Sequence, residues 1–202
     1  YFKNGLYKMC RPFFLLFFVL AAYKSRGKEL FSVPLILPYE RESALRYAHY
    51  WAYRRNPLYY DYSELGGDCT NFASQCLYAG TGVMNDTPLY GWYYRDPNYK
   101  APAWTGVPYF YDFLTRSAVS PGPFGRDVPL EETVPADFVQ LRKGSAVYGH
   151  TPIIVAIGTP PTLENTLVAA HSYDVDYRPL STYEFDEIRF LHILGAYPQA
   201  SG

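Results

Sequence analysis

The sequence predicts an α+β domain in which helices come first and an antiparallel sheet follows. Two stretches in the first half, residues 40–55 and the run from Cys69, place apolar residues at three- and four-residue spacing, the period of an amphipathic helix. The last third instead breaks into short β-branched or alternating runs, "ADFVQL", "HTPIIVAIG", "TLVAAHS" and "IRFLHILG", separated by turn residues. The chain has 202 residues, enough for one domain with a real core and too few for two comfortable ones.

In chain order, the first feature is "PFFLLFFVLAA", an unbroken apolar run from Pro12 to Ala22 with Lys3, Lys8 and Arg11 before it and Lys24, Arg26 and Lys28 after. A membrane span needs about 20 apolar residues, and this run is about half that. A basic flank, a short apolar core and small residues at its end are the pattern of a secretory signal. We therefore expect a targeting segment over residues 1–30, with the signal itself at residues 9–24, no stable membrane span, and a secreted or cell-surface protein. A single domain is expected over residues 31–202.

The first helix is expected over "ERESALRYAHYWAYRR", Glu40 to Arg55, with Ala44, Leu45, Ala48, Trp51 and Ala52 on its buried stripe. Asn56-Pro57 stops it. From Cys69, the residues Phe72, Ala73, Cys76, Leu77 and Gly80 repeat at helical spacing and mark the buried face of a second helix, with Asp68 placed as its N-cap. Residues 82–133 are rich in Gly and Pro and read as loop, apart from one helix near Val107 to Ser117. The aromatic content of that region argues against disorder.

Composition narrows the function. Eighteen basic against nineteen acidic residues give a formal charge of −1, which offers no reason to expect nucleic acid as a partner. Aromatics reach 19%, with 22 tyrosines among them, and suit either a packed core or a surface for partly apolar ligands. Of the three cysteines, Cys10 falls in the expected signal, and Cys69 and Cys76 are seven apart on one helix. That spacing is about 10 Å, too far for a disulfide.

A thiol at a helix N-terminus is where chemistry is expected. The unpaired N–H groups and the helix dipole favour the thiolate, and the same N–H groups can hold an oxyanion. Cys69 is at that position, behind Gly66-Gly67, whereas Cys76 is two turns deeper and reads as core. A base is needed. Among four histidines, His49 reads as a helix surface residue and His192 as mid-strand. His150 opens the strand "HTPIIVAIG", His171 closes "TLVAAH", and the loop "GTPPTLEN" lies between them. A hairpin centred near Pro160-Pro161 brings the two imidazoles opposite one another on one face, a base beside its orienting group. A one-residue slip in register flips one of them away.

The chain resembles the papain-like hydrolases of the NlpC type, and more closely the "putative amidase domain" family of bacterial, often exported, proteins. The resemblance rests on "LPYERESALRYAHYWAYRRNP", "GGDCTNFASQCLYAG", "GWYY", "WTGV", "ADFVQL", "GHTPIIV" and "LVAAHSYDVDYRPLS". These span residues 37–194. It implies a papain-like fold, N-terminal helices packed on a C-terminal antiparallel sheet, with Cys69 as nucleophile, His150 as base and His171 as third polar member. It implies a cysteine amidase or peptidase acting on a peptide or peptidoglycan-stem substrate, without cofactor or metal. Thr70-Asn71 stands where the NlpC pattern has a small residue and Gly, so substrate preference is not carried over. Asp174 is an alternative third member, and Asn165 a weaker one.

The Cys69 backbone N–H supplies one oxyanion donor, and Tyr60 and Tyr62 are candidates for a second. Asp68, Tyr60, Tyr62, Trp92, Tyr93 and Trp104 are the candidate substrate-groove residues. Two other readings stay open: a zinc site formed by Cys69, His150 and His171, and a catalytically inactive module that grips cell-wall material with its aromatic-rich middle.

Overall fold

The computed structural model describes residues 34–199. The expected signal segment and Cys10 lie outside the described residues. Helix α1, Arg41–Trp51, forms where Ala44, Ala48 and Ala52 recur every fourth residue, and all three are fully buried. Leu45 and Trp51, expected on the same stripe, are only partly buried at its margin. The helix stops at Trp51, with Ala52 as its C-cap, and not at Arg55 as expected; Asn56 turns the chain beyond it, its side-chain oxygen accepting the Leu58 N–H at 3.0 Å.

Helix α2, Cys69–Thr81, ends as its sequence dictates: Gly82 adopts φ +65° and donates its N–H to Tyr78 O. A single buried face was expected, but every residue from Cys69 to Leu77 is buried. The helix runs through the centre of the domain, and its polar residues find partners there: Ser74 Oγ donates to Trp104 O at 2.9 Å, and Gln75 accepts from Tyr47. Gly80 permits close approach at its far end, since a Cβ there would lie 2.3 Å from the Tyr39 ring.

The middle region holds more structure than its Gly and Pro content suggests. A hairpin of β1 (Tyr94–Asp96) and β2 (Tyr99–Lys100) precedes two short helices, α3 (Pro102–Thr105) and α4 (Val107–Leu114). Strand β3 (Gly122–Val128), unforeseen, then joins the main sheet. Its register shifts between Phe124 and Gly125, where a Cβ would lie 2.4 Å from His192 O. Only glycine fits that bulge.

The sheet continues with β4 (Phe138–Arg142), β5 (Ile153–Ile157), β6 (Thr166–Ala170), β7 (Val175–Pro179) and β8 (Glu187–Tyr197). All its pairings are antiparallel, in the order β3-β8-β4-β5-β6-β7. The expectation of an α+β chain with an antiparallel sheet is met. Alternation assigns the two faces: Phe138, Ile153, Val155 and Ala169 pack under the helices, while Val139, Leu141, Ile154 and Val168 form a second cluster with Leu180 and Phe190. Both faces are covered, which is why "PIIVAI" reads as an unbroken apolar run.

The hairpin between β5 and β6 forms, but not in the expected register. Ile153 pairs with Ala169, which carries His150 opposite Ser172 and Thr151 opposite His171. That is the one-residue slip that sends the two imidazoles to opposite faces.

Candidate active site

Cys69 is the first residue of α2 and is 7% exposed. The approach is tight. Gly66 and Gly67 both have positive φ, at +95° and +112°, and a Cβ on Gly67 would lie 3.2 Å from Ser172 Oγ. Ser172 also accepts the Asp68 backbone N–H at 2.7 Å. The glycines thus let the chain reverse against the β6–β7 turn and present Cys69 to a cleft of about 640 Å³. Its walls include Gly66, Gly67, His150, Ser172, Arg178 and Tyr183. As N1 of the helix, Cys69 has a backbone N–H without an intrahelical acceptor.

The electrostatics differ from the expectation drawn from the helix N-terminus alone. Burial pushes the Cys69 thiol above its ordinary pKa, although the Thr151 N–H and Thr70 pull it down. His150 is driven down to about 4, first by burial and then by the positive charge of Arg178. Thiol and imidazole both rest neutral here. His150 precedes β5 and joins the sheet through a bridge to Leu141; its ring lies 5.5 Å, centroid to centroid, from Tyr183.

The His171 ring bonds elsewhere than to His150. Its Nδ1 lies 2.6 Å from Asp68 Oδ2, its Nε2 lies 2.9 Å from Trp51 O, and its ring stacks on Phe72 at 3.9 Å. Both nitrogens face acceptors, so only the doubly protonated ring donates to both. Asp68 in turn does not cap α2 with its side chain. Its Oδ1 accepts from the Tyr62 N–H at 3.0 Å and from Asn71 Nδ2 at 2.8 Å. The expected cap is a wholly buried carboxylate, 0% exposed, that ties the loop before Cys69 to α1 and β6 and is not open to a substrate.

The other expected site residues lie elsewhere. Asp174 is held by Arg55 through two bonds of 2.9 Å. Asn165 closes the β5–β6 turn, accepting from Thr162 N and donating to Pro160 O. Trp92 and Trp104 are fully buried and Tyr93 nearly so; the two indole N–H groups donate to Ser74 Oγ and Asn71 Oδ1. They are core, not groove. Tyr60 is half-exposed, and Tyr62 is buried with its ring 5.0 Å from Lys100 Nζ; neither lines the Cys69 cleft. Cys76 is wholly buried, as expected of a core thiol. Among the described residues no group of three His, Cys, Asp or Glu side chains is placed to hold a metal ion.

Sequence reasoning missed Tyr183, Arg178, Thr151 and Ser172. Thr151 and Ser172 directly follow the two singled-out histidines, and the register argument pointed one residue short of both. Arg178 lies within "LVAAHSYDVDYRPLS", one of the stretches that carry the resemblance, but nothing in the residues alone marks its arginine, and Tyr183 lies just beyond that stretch.

No solved structure matches this chain. Over 141 residues it is 33% identical to the uncharacterized protein YhbB of Bacillus subtilis (strain 168), which covers 67% of this chain. The chain spans 42% of that protein's length. Among the described residues no helix is long and apolar enough to cross a membrane. A family model described as "Putative amidase domain" matches residues 38–194, which include Cys69, His150 and His171, and the chain belongs to that family.

Proposed function

We propose that this chain is a cysteine-dependent amide hydrolase of papain-like arrangement, with Cys69 as nucleophile and His150 as base. The observation that supports it is that Cys69, at the head of α2, and His150, at the head of β5, share one cleft. Membership of an amidase family gives the reaction class.

In this reading His150, resting neutral, takes the Cys69 proton as sulfur attacks the amide carbonyl carbon. The carbonyl oxygen becomes an oxyanion facing the Cys69 N–H. The tetrahedral adduct collapses as His150 gives its proton to the leaving amine, and a thioester remains. Water, deprotonated by His150, then attacks the thioester and releases the acid and the thiol. The Tyr183 ring packs beside His150, 5.5 Å centroid to centroid. His171 enters only as the anchor of Asp68, which fixes the residue before the nucleophile.

The substrate we propose is a cell-wall peptide met outside the cell, after removal of the signal at residues 9–24. The rival of an inactive aromatic-lined module loses its groove, because Trp92 and Trp104 are core. The deciding experiment is digestion of purified peptidoglycan, with product masses identifying the cleaved bond. New amine and carboxyl ends that appear with wild type and not with Cys69→Ala are expected; equal products from both overturn the reading.

A further inference from the structure

We propose that Arg178 receives a carboxylate of the substrate, so that the cleft takes acidic amides, peptides with a free carboxylate within about one residue of the scissile bond. The proposal rests on the reading of Cys69 as nucleophile. It names the substrate class by charge.

Arg178 is the uncompensated cation of the cleft wall. The other two charged side chains there, Lys143 and Glu184, are bonded to each other. No carboxylate among the described residues pairs with Arg178. Its Nε donates to Thr182 Oγ1 at 2.8 Å and Nη2 to Thr182 O at 3.0 Å, and its guanidinium carbon lies 4.0 Å from the centre of the Tyr183 ring. Those three contacts hold the plane of the group while leaving further N–H donors unused, since a guanidinium carries five. A held planar fork is the geometry that suits a carboxylate, and immobilising it beforehand lowers the cost of binding.

The strand that carries Arg178 is shaped for this placement. Val168 pairs with Arg178 and Ala170 with Val175, so β7 has one residue more than β6 over that interval. The extra residue is taken up in a bulge where Tyr177 adopts φ +55°. Bulges re-aim the side chains that follow them, and the next residue is Arg178.

The position has a consequence for the chemistry. Burial, and after it the Arg178 charge, hold His150 in its neutral form. A carboxylate seated on Arg178 cancels that charge and returns part of the basicity of His150. An acidic substrate then both docks at Arg178 and strengthens the base, whereas a neutral analogue of the same shape does neither.

The test uses two thiol reagents that differ only in charge, bromoacetyl-glycine and bromoacetyl-glycinamide. In each, the Cys69 sulfur displaces bromide from the reagent's CH2 group and the thiol proton passes to His150. Labelling of Cys69 is followed by mass spectrometry on the full chain at low ionic strength. The acid is expected to label about tenfold faster than the amide, a preference that shrinks with added salt. Arg178→Gln brings the ratio of the two rates close to one. Arg178→Lys keeps part of it, because charge remains and the fork is lost, and the double change Lys143→Gln with Glu184→Gln, which removes both charges of that pair, leaves it in place. Equal labelling by the two reagents in wild type, or a preference that survives Arg178→Gln or vanishes with the Lys143→Gln, Glu184→Gln double change, overturns the anion site while Cys69 remains a reactive thiol. Labelling of Cys69 by neither reagent removes the nucleophile reading and the anion site together.

Discussion

His171 and Asp68 form a buried pair, Nδ1 to Oδ2 at 2.6 Å, with each side chain 1% exposed. The pair closes a three-way junction: Asp68 precedes the nucleophile candidate, His171 follows β6, and Trp51 O, at the end of α1, accepts from the second ring nitrogen. Removing His171 takes one partner from the buried Asp68 and leaves a void beside Phe72, while Arg55 Nε, 3.7 Å from Oδ2, still faces the carboxyl group. His171→Ala is therefore expected to lower unfolding free energy by about 2–4 kcal/mol, measured by urea denaturation. Asp68→Asn should cost less, because an amide can donate to Nδ1 of a neutral ring while that ring still donates to Trp51 O. In the Asp68→Asn background, His171→Ala should cost clearly less than it does alone. A residue that oriented His150 would instead lose kcat with stability intact, and that result refutes the anchoring role.

Cys69 and Cys76 share a helix and differ in what they touch. Cys69→Ala should abolish amide hydrolysis, by at least about a thousandfold in kcat/KM, with stability changed by less than about 1 kcal/mol. Cys76 is wholly enclosed in the core. Cys76→Ala should keep kcat and cost about 1 kcal/mol of stability from the small void it leaves. Turnover retained in Cys69→Ala at unchanged KM would exclude it as the nucleophile.

Trp104 separates core from groove directly. Its ring is fully buried, 4.7 Å centroid to centroid from Trp92, and its N–H donates to Asn71 on α2. Trp104→Ala is expected to cost about 3–5 kcal/mol of stability. KM measured on the remaining folded protein should stay close to wild type. A variant of native stability with a raised KM would restore Trp104 to a substrate groove.

The parts of the fold legible in the sequence are those where local chemistry and long-range packing agree. Helix α2 carries its own stop signal in Gly82, and Ala44, Ala48 and Ala52 recur at the spacing that buries one face of α1; the end of α1 at Trp51 was not legible, since Asn56-Pro57 lies beyond it. Strand β3 was hidden because Gly122, Pro123 and Gly125 are turn residues by local preference, and only the partner β8 makes a strand of them. The register of the two histidines was hidden for another reason. A symmetric hairpin about Pro160-Pro161 takes the register from the loop's midpoint, but the pairs nearest the loop, Ile157 with Thr166 and Ala156 with Leu167, centre between Pro161 and Thr162, and the β5 bulge between Ile154 and Ala156 then shifts the pairing by one, so that beyond it the strands lie one residue from the expected register. Aromatic content alone did not distinguish groove from core, since the stretch around Trp92 and Trp104 has no period to show which way a ring points.

The acid dependence of His150 gives the last test. In the unfolded chain an imidazole titrates near its ordinary value of 6.5, and in the fold burial and Arg178 bring it down to about 4. Between those values the unfolded chain binds a proton that the folded site does not. Stability from this group is therefore present above pH 6.5 and lost as pH falls toward 4. His150→Gln has no such proton to gain, so its unfolding free energy should fall less steeply than wild type across that window. Activity follows the same group. With His150 still neutral at pH 5.5, kcat/KM should remain high there, and its acid limb should appear near pH 4, as a property of the Cys69–His150 pair. The raised thiol pKa puts the alkaline limb above the ordinary thiol value of 9.0. An acid limb at 6.5, with the same stability slope in wild type and His150→Gln, would show that His150 is solvated and free of the Arg178 field.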